Sequence, residues 1–156
     1  DYRHFDRYNI TPRFEFGYGL SYSTFNYSRL QTSRLAGGNL SPHPDAGVAI
    51  TQGGHPQLWD ELFAVSFEIT NTGDVFANEV PQLYVGIADA PKKQLRGFER
   101  VPLQPGQSKR VNLPLTRRDL SVWDVVAQQW KLQAGEYAVW VGASSRDIKL
   151  EGSITV

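Results

Sequence analysis

The feature that most constrains this chain is a succession of short segments, each alternating apolar and polar residues and each closed by a turn signal. Phe63, Val65, Phe67 and Ile69 face one way, Ala64, Ser66, Glu68 and Thr70 the other, and Asn71-Thr72-Gly73-Asp74 ends the run. A period of two is the mark of a strand packed on one side only. Residues 80–87 repeat it, with Leu83, Val85 and Ile87 on the core side. Residues 95–101 read as a short strand before the turn Gln104-Pro105-Gly106. Val111, Leu113 and Leu115 mark another, where Pro114 points to an edge or a bulge because proline cannot donate to a ladder. Residues 129–132, the stripe Tyr137, Val139, Val141, and Ile148, Leu150, Ile154 and Val156 around Gly152 supply the rest. Thr116-Arg117-Arg118-Asp119 reads only as a short capped helical turn. Six to eight short strands and no long helix imply an all-β, immunoglobulin-like antiparallel sandwich.

Two stretches fall outside that pattern. Residues 1–22 crowd together Tyr2, Phe5, Tyr8, Phe14, Phe16, Tyr18 and Tyr22, with Pro12, Gly17 and Gly19 between them. Their spacing is not helical, and such an arm cannot bury itself, so it is expected to lie across another surface. A first strand follows over residues 22–30. Residues 33–60 then carry Gly37-Gly38, Pro42, Pro44, Gly47, Gly53-Gly54 and Pro56 among small and polar side chains. This long loop is expected to be a mobile surface excursion, with at most a short extended piece at 48–51; a plain spacer and a binding loop are both open. The chain thus divides into a connector arm, 1–22, and a sandwich domain, 23–156.

Charge and composition exclude several classes. Sixteen basic and sixteen acidic residues cancel, so there is no basic excess for nucleic acid or an anionic membrane. No apolar stretch approaches the roughly 20 residues that cross a bilayer. With no cysteine, disulfides, thiolate catalysis and cysteine-based metal sites are ruled out. A chain without methionine that starts at Asp1 is expected to be a processed or excised piece.

The catalytic inventory is nearly empty. His4, His43 and His55 show no metal-ligand spacing, and Gly17-Tyr18-Gly19-Leu20-Ser21 lacks the order of a nucleophile elbow and the third glycine of a phosphate loop. Paired carboxylates could hydrolyse a glycoside. Asp60 and Glu61, however, would point to opposite faces of a strand, and Asp119 and Asp124 fit as cap and turn closure around residues 120–123. No catalytic, cofactor or metal residue is therefore assigned. Asn9, Asn26 and Asn39 each head an N-glycosylation triplet, with Asn39 expected to be the most accessible. Trp140 and Tyr84 lie opposite the apolar stripes of their strands, so in adjacent strands they would form an outward aromatic pair. That pair is either covered by the arm or left as a platform for sugars or polyphenols, which stack on flat rings.

The run Tyr2-Arg3-His4-Phe5-Asp6-Arg7-Tyr8, continued by Phe14-Glu15-Phe16-Gly17-Tyr18-Gly19-Leu20-Ser21-Tyr22, resembles the junction before the C-terminal domain of fungal glycoside hydrolase family 3 β-glucosidases. Leu95-Arg96-Gly97-Phe98-Glu99-Arg100-Val101, Arg117-Arg118-Asp119-Leu120-Ser121-Val122-Trp123-Asp124 and Val141-Gly142-Ala143-Ser144-Ser145-Arg146-Asp147 extend the likeness. The resemblance implies a fibronectin type III-like sandwich in a secreted, extracellular enzyme that releases glucose from cellobiose and short β-glucosides. It implies that nucleophile and acid/base belong to preceding domains, so no catalytic residue carries over. The expected role is a non-catalytic accessory domain buttressing the catalytic domains, with Tyr2, Phe5, Tyr8, Phe14, Phe16 and Tyr18 at the domain interface. The alternative is a module adsorbing to lignin-like polyphenols or polysaccharide through Tyr84 and Trp140. An independent hydrolase lacks the cleft and paired acids it would need.

Overall fold

The computed structural model describes residues 1–156, and its centre is two antiparallel sheets packed face to face. Three strands form one sheet: β1 (Phe25–Arg34), β2 (Glu61–Asn71) and β7 (Ser108–Thr116), in the order β1-β2-β7. Four form the other: β4 (Gln82–Gly86), β5 (Gln94–Phe98), β10 (Glu136–Gly142) and β11 (Ile148–Thr155), in the order β11-β10-β4-β5. Two small ribbons complete the molecule, β3 (Ala77–Glu79) with β6 (Val101–Leu103), and β8 (Ser121–Asp124) with β9 (Gln129–Leu132). The alternation read from the sequence is the inner face: Val65, Phe67 and Ile69 meet Leu83, Val85, Val139 and Val141 across the sandwich, all of them buried. Each such side chain contributes roughly 1.5–3 kcal/mol by leaving water.

The strands differ from the expected ones for local physical reasons. β1 starts at Phe25 rather than residue 22 and runs into the expected loop. Its register shifts between Ser28 and Gln31 where Arg29 takes a left-handed φ of 56°. That bulge turns the strand out of strict alternation, which hides its second half from a period-two reading. Residues 95–101 are not one strand, because β5 pairs with β4 while β6 leaves the sheet to pair with β3. Pro114 sits on β7, an outer strand, as its missing N–H suggests.

The arm contains a helix that its spacing does not announce. α1 (Tyr2–Arg7) is six residues long, capped by the Asp1 carboxylate accepting the Arg3 N–H at 3.0 Å. One and a half turns are too few to display a period, and docking holds them instead. α2 (Arg117–Leu120) has the expected cap in full: Thr116 Oγ1 accepts from the Asp119 N–H and Asp119 Oδ2 accepts from the Thr116 N–H.

The loop 33–60 is fastened at several points rather than free. Arg117, buried on α2, donates from Nη1 to the Ser41 carbonyl at 2.8 Å and from Nη2 to the Asn39 carbonyl. The Leu132 N–H reaches the Pro42 carbonyl at 2.8 Å, and Leu58, in the 3-10 turn Pro56–Trp59, is buried. His55 Nδ1 accepts the Gln57 N–H while its Nε2 lies 3.0 Å from the Asp45 carbonyl. With Nδ1 as acceptor, Nε2 is the donor to that carbonyl, and His55 clips the loop to itself. Of the extended piece expected at 48–51, only a single Thr51–Gly54 bridge exists.

Asn71 closes one end of the sandwich. Fully buried, it donates from Nδ2 to the carbonyls of Val75 (2.8 Å) and Leu103 (3.0 Å). Its Oδ1 accepts from Ser23 Oγ (2.6 Å) and the Gly73 N–H (3.0 Å), so every valence of the amide is used. Nearby, the Tyr27 hydroxyl donates to Glu79 Oε1 at 2.9 Å, with both residues buried. Burial pushes the Glu79 carboxyl above its ordinary value, against the lowering effect of the Tyr27 hydrogen bond. Tyr137, at the start of β10, places its hydroxyl 2.9 Å from the Gln133 carbonyl and 3.1 Å from that of Leu120. This is similar to the tyrosine corner of immunoglobulin-like sandwiches.

Two outcomes are expected. Asn71→Asp, which is isosteric but turns an acceptor toward two carbonyls, lowers stability by about 3 kcal/mol in urea unfolding; an unchanged midpoint contradicts the account of the hub. Glu79 holds its proton more tightly folded than unfolded, so its contribution is complete at low pH and is lost as pH rises through the folded value. Glu79→Gln should therefore be more stable than the parent at about pH 7 and gain less than it on acidification to about pH 5. Melting curves at both pH values check this, and equal pH dependence of the two proteins contradicts it.

Candidate functional site

The arm crosses the outer face of the four-stranded sheet, over the aromatic pair expected there. Trp140 and Tyr84 are direct partners across β10 and β4, as their strand positions imply. They do not form an exposed platform. Tyr84 is fully buried, with the Tyr2 ring edge-on at 5.8 Å and Phe16 against Tyr2 at 4.9 Å. Trp140 is half-buried and lies over Gly86, where a Cβ would stand 2.8 Å from the indole. The platform reading fails because an aromatic arm is at hand to remove this surface from water.

Polar contacts lock the arm. Gln82, buried on β4, donates from Nε2 to the Gly17 carbonyl (3.0 Å) and the Ala143 carbonyl (2.9 Å), and accepts from the Tyr84 hydroxyl at 2.6 Å. Gly17 has a φ of 82°, and a Cβ there would fall within 2.5 Å of the Gln82 amide, so both backbone and space require glycine. The Leu95 N–H donates to the Tyr2 hydroxyl, the Ser145 N–H to the Phe16 carbonyl, and Ser144 Oγ to Glu15. Asp6 sits between Lys93 at 3.3 Å and Arg146 at 3.5 Å, its side chain only 11% exposed. Burial, followed by the neighbouring Tyr2 and Asp6, pushes the Tyr84 hydroxyl well above its ordinary value and keeps it a donor.

Docking divides the arm aromatics into two groups. Tyr2 and Phe5 turn inward, whereas Tyr8, Phe14, Phe16 and Tyr18 stay on the surface. The end of the arm then joins the β2–β3 connection to form an apolar groove of about 930 Å³. Its walls are Tyr18, Leu20, Tyr22, Phe76, Val80 and Phe98, and Leu20 and Tyr22 are 82% and 99% exposed. Single exposed apolar residues are ordinary, but a contiguous set of this kind marks an interaction surface. Nothing in the sequence singled out Phe76 or Phe98. Only the packing of three separate segments brings them together.

No cluster of three or more histidine, aspartate and glutamate side chains assembles anywhere. Two of the carboxylates weighed for catalysis, Asp119 and Asp124, have structural duties. Asp119 completes the α2 cap, and Asp124 accepts from the N–H groups of Ala127 and Val126, which hold its carboxyl below the ordinary range. Asp60 accepts the Arg117 N–H through its carbonyl. Asn9, Asn26 and Asn39 are all exposed, and the Asn39 Oδ1 is engaged by the Ser41 N–H at 2.8 Å.

A second constellation escaped the sequence reading. Trp123 and Trp130 face each other across the β8–β9 ribbon, edge to face at 5.4 Å. The Arg118 guanidinium stacks over Trp130 at 3.4 Å from the ring centre. Trp59, from the loop, completes the cluster. The loop carries Trp59 to this place only because it is fastened to α2, a long-range arrangement that local pattern cannot disclose.

Known proteins resemble the chain along its whole length. The Fibronectin type III-like domain family matches residues 79–145. The probable β-glucosidase M of Aspergillus fumigatus is 56% identical over 156 residues, all of this chain and 20% of that protein. The crystal structure of β-D-glucoside glucohydrolase from Trichoderma reesei superposes with a TM-score of 0.92 at 46% identity, covering 100% of this chain and 22% of that one. A glycoside hydrolase family 3 β-glucosidase from Neurospora crassa superposes with a TM-score of 0.87 at 32% identity, covering 99% and 27%. The chain spans about one fifth of the length of the curated relatives it matches, and it comprises their fibronectin-type part without the catalytic domains. Along its whole length the chain is similar to one part of glycoside hydrolase family 3 β-glucosidases, and over residues 79–145 it matches the fibronectin type III-like domain.

Proposed function

We propose that this chain is a non-catalytic, C-terminal accessory domain that buttresses the catalytic domains of a secreted β-glucosidase acting on cellobiose and related β-glucosides. The observation that carries this reading is the apolar groove at the end of the arm. Tyr22 is 99% exposed in the isolated chain. A groove lined by Leu20, Tyr22, Phe76 and Phe98 has the apolar, aromatic character of the core of a permanent interface, and the remaining four fifths of such an enzyme supply the partner. The arm supports the same reading. It is fastened to the sandwich by Gln82, Tyr2 and Asp6, so any displacement of the domain is passed to whatever the arm joins. Three exposed glycosylation triplets agree with an extracellular protein.

Phe76→Ser combined with Phe98→Ser tests the proposal. In the intact β-glucosidase this pair should lower the temperature of half-inactivation, while the unfolding midpoint of the 156-residue chain stays where it was. Equal stability of the variant and parent enzymes contradicts the proposal. So does hydrolysis of a chromogenic aryl β-glucoside by the purified 156-residue chain.

A further inference from the structure

The cavity between the loop and the β8–β9 ribbon shares no residue with the apolar groove and has a different chemistry. Its volume is about 460 Å³, within the roughly 300–1,000 Å³ usual for small-molecule sites. Three of the chain's four tryptophans line it. Trp59 and Trp123 remain 59% and 45% exposed, so both offer indole surface to a ligand. Aromatic surface of this kind would suit many flat molecules, but the polar side chains beside it narrow the choice. Arg118 is held by its stack on Trp130 and spends none of its donors on the chain. Gln129, at the end of the ribbon, likewise keeps a free amide. By contrast, both ring nitrogens of His55 are already engaged, and the Gln128 amide donates to the Val125 carbonyl at 2.7 Å.

A ligand matching this cleft must be flat and apolar on its faces and rich in hydrogen-bond acceptors around its rim. A β-linked glucose unit has that form: its equatorial hydroxyls lie in the ring plane and leave only C–H groups on either face. We infer that the cleft is a glycan subsite that binds a β-linked gluco-oligosaccharide, stacking a pyranose on Trp59 and Trp123 while Arg118 and Gln129 donate to its hydroxyls. The stack supplies affinity and the two donors set orientation. Arg117 builds the subsite without touching the ligand, because it fastens the loop that carries Trp59. The inference does not depend on what fills the apolar groove.

A nuclear magnetic resonance titration of the 156-residue chain with cellotetraose tests it. The indole N–H signals of Trp59, Trp123 and Trp130 should shift saturably while that of Trp140 stays in place. Trp59→Ala and Trp123→Ala should each weaken binding about tenfold or more. Both side chains are about half exposed and neither belongs to the sandwich core, so the backbone amide spectrum of the sandwich should be retained in each. Arg118→Leu, tested separately, should also weaken binding. Absence of a saturable shift overturns the inference, as does binding that persists in the Trp59→Ala, Trp123→Ala double variant. Saturation by a soluble gallotannin with none by cellotetraose overturns it too, and assigns the cleft to polyphenols.

Discussion

A polar side chain taken out of water must find a hydrogen-bond partner, and in this sandwich the partners are backbone carbonyls outside the two main sheets. Arg117 reaches the carbonyls of Asn39 and Ser41, Gln82 those of Gly17 and Ala143, and Asn71 those of Val75 and Leu103. Each contact offsets the burial of side-chain donors and gives partners to carbonyls that lie outside the two main sheets. The sandwich core alone would hold seven strands together. It would not dictate where the arm, the loop or the β2–β3 turn lies, because apolar burial has no direction. The three polar clasps supply the direction.

Function follows from where those segments are held. The arm, clasped by Gln82, covers Tyr84 and delivers Leu20 and Tyr22 to one side of Phe76 and Phe98. The loop, clasped by Arg117, delivers Trp59 to the hairpin indoles. One domain thus presents two surfaces of unlike character, an apolar groove suited to a protein partner and a mixed aromatic and polar cleft suited to a sugar. Neither involves a paired acid or a metal-ligand cluster. Both depend on a rigid sandwich and on segments with no regular structure of their own.

Much of this was legible in the residues. Alternation in β2, β4 and β10 named the core face correctly, and the capping pattern Thr116-Arg117-Arg118-Asp119 named α2. The opposition of Tyr84 and Trp140 to their stripes gave their pairing, because period-two geometry is local. What failed was long-range. Cover by the arm was one of the two readings open for the Tyr84–Trp140 pair, and the arm does cover Tyr84; the docking contacts that achieve it are long-range and follow no local rule. The six-residue α1 shows no period, and the Arg29 bulge conceals half of β1. Arg117 reads as part of a helical turn, but its buried guanidinium, one of the fastenings of the loop, has no counterpart in spacing or composition. The Trp59–Trp123–Trp130 cluster depends on several such long-range contacts, among them the Arg117 N–H on the Asp60 carbonyl, and local pattern discloses none of them.

The claim that buried polar clasps, rather than the sandwich core, position the functional segments is tested most directly by amide hydrogen exchange on Arg117→Met. The substitution keeps an apolar stem in the same space and removes only the donors. Exchange at the Leu132 N–H, which is bonded to the Pro42 carbonyl, should accelerate strongly. Core amides of β2 and β10 should keep their protection. Unchanged protection at Leu132, or an equal loss throughout β2 and β10, would contradict the account.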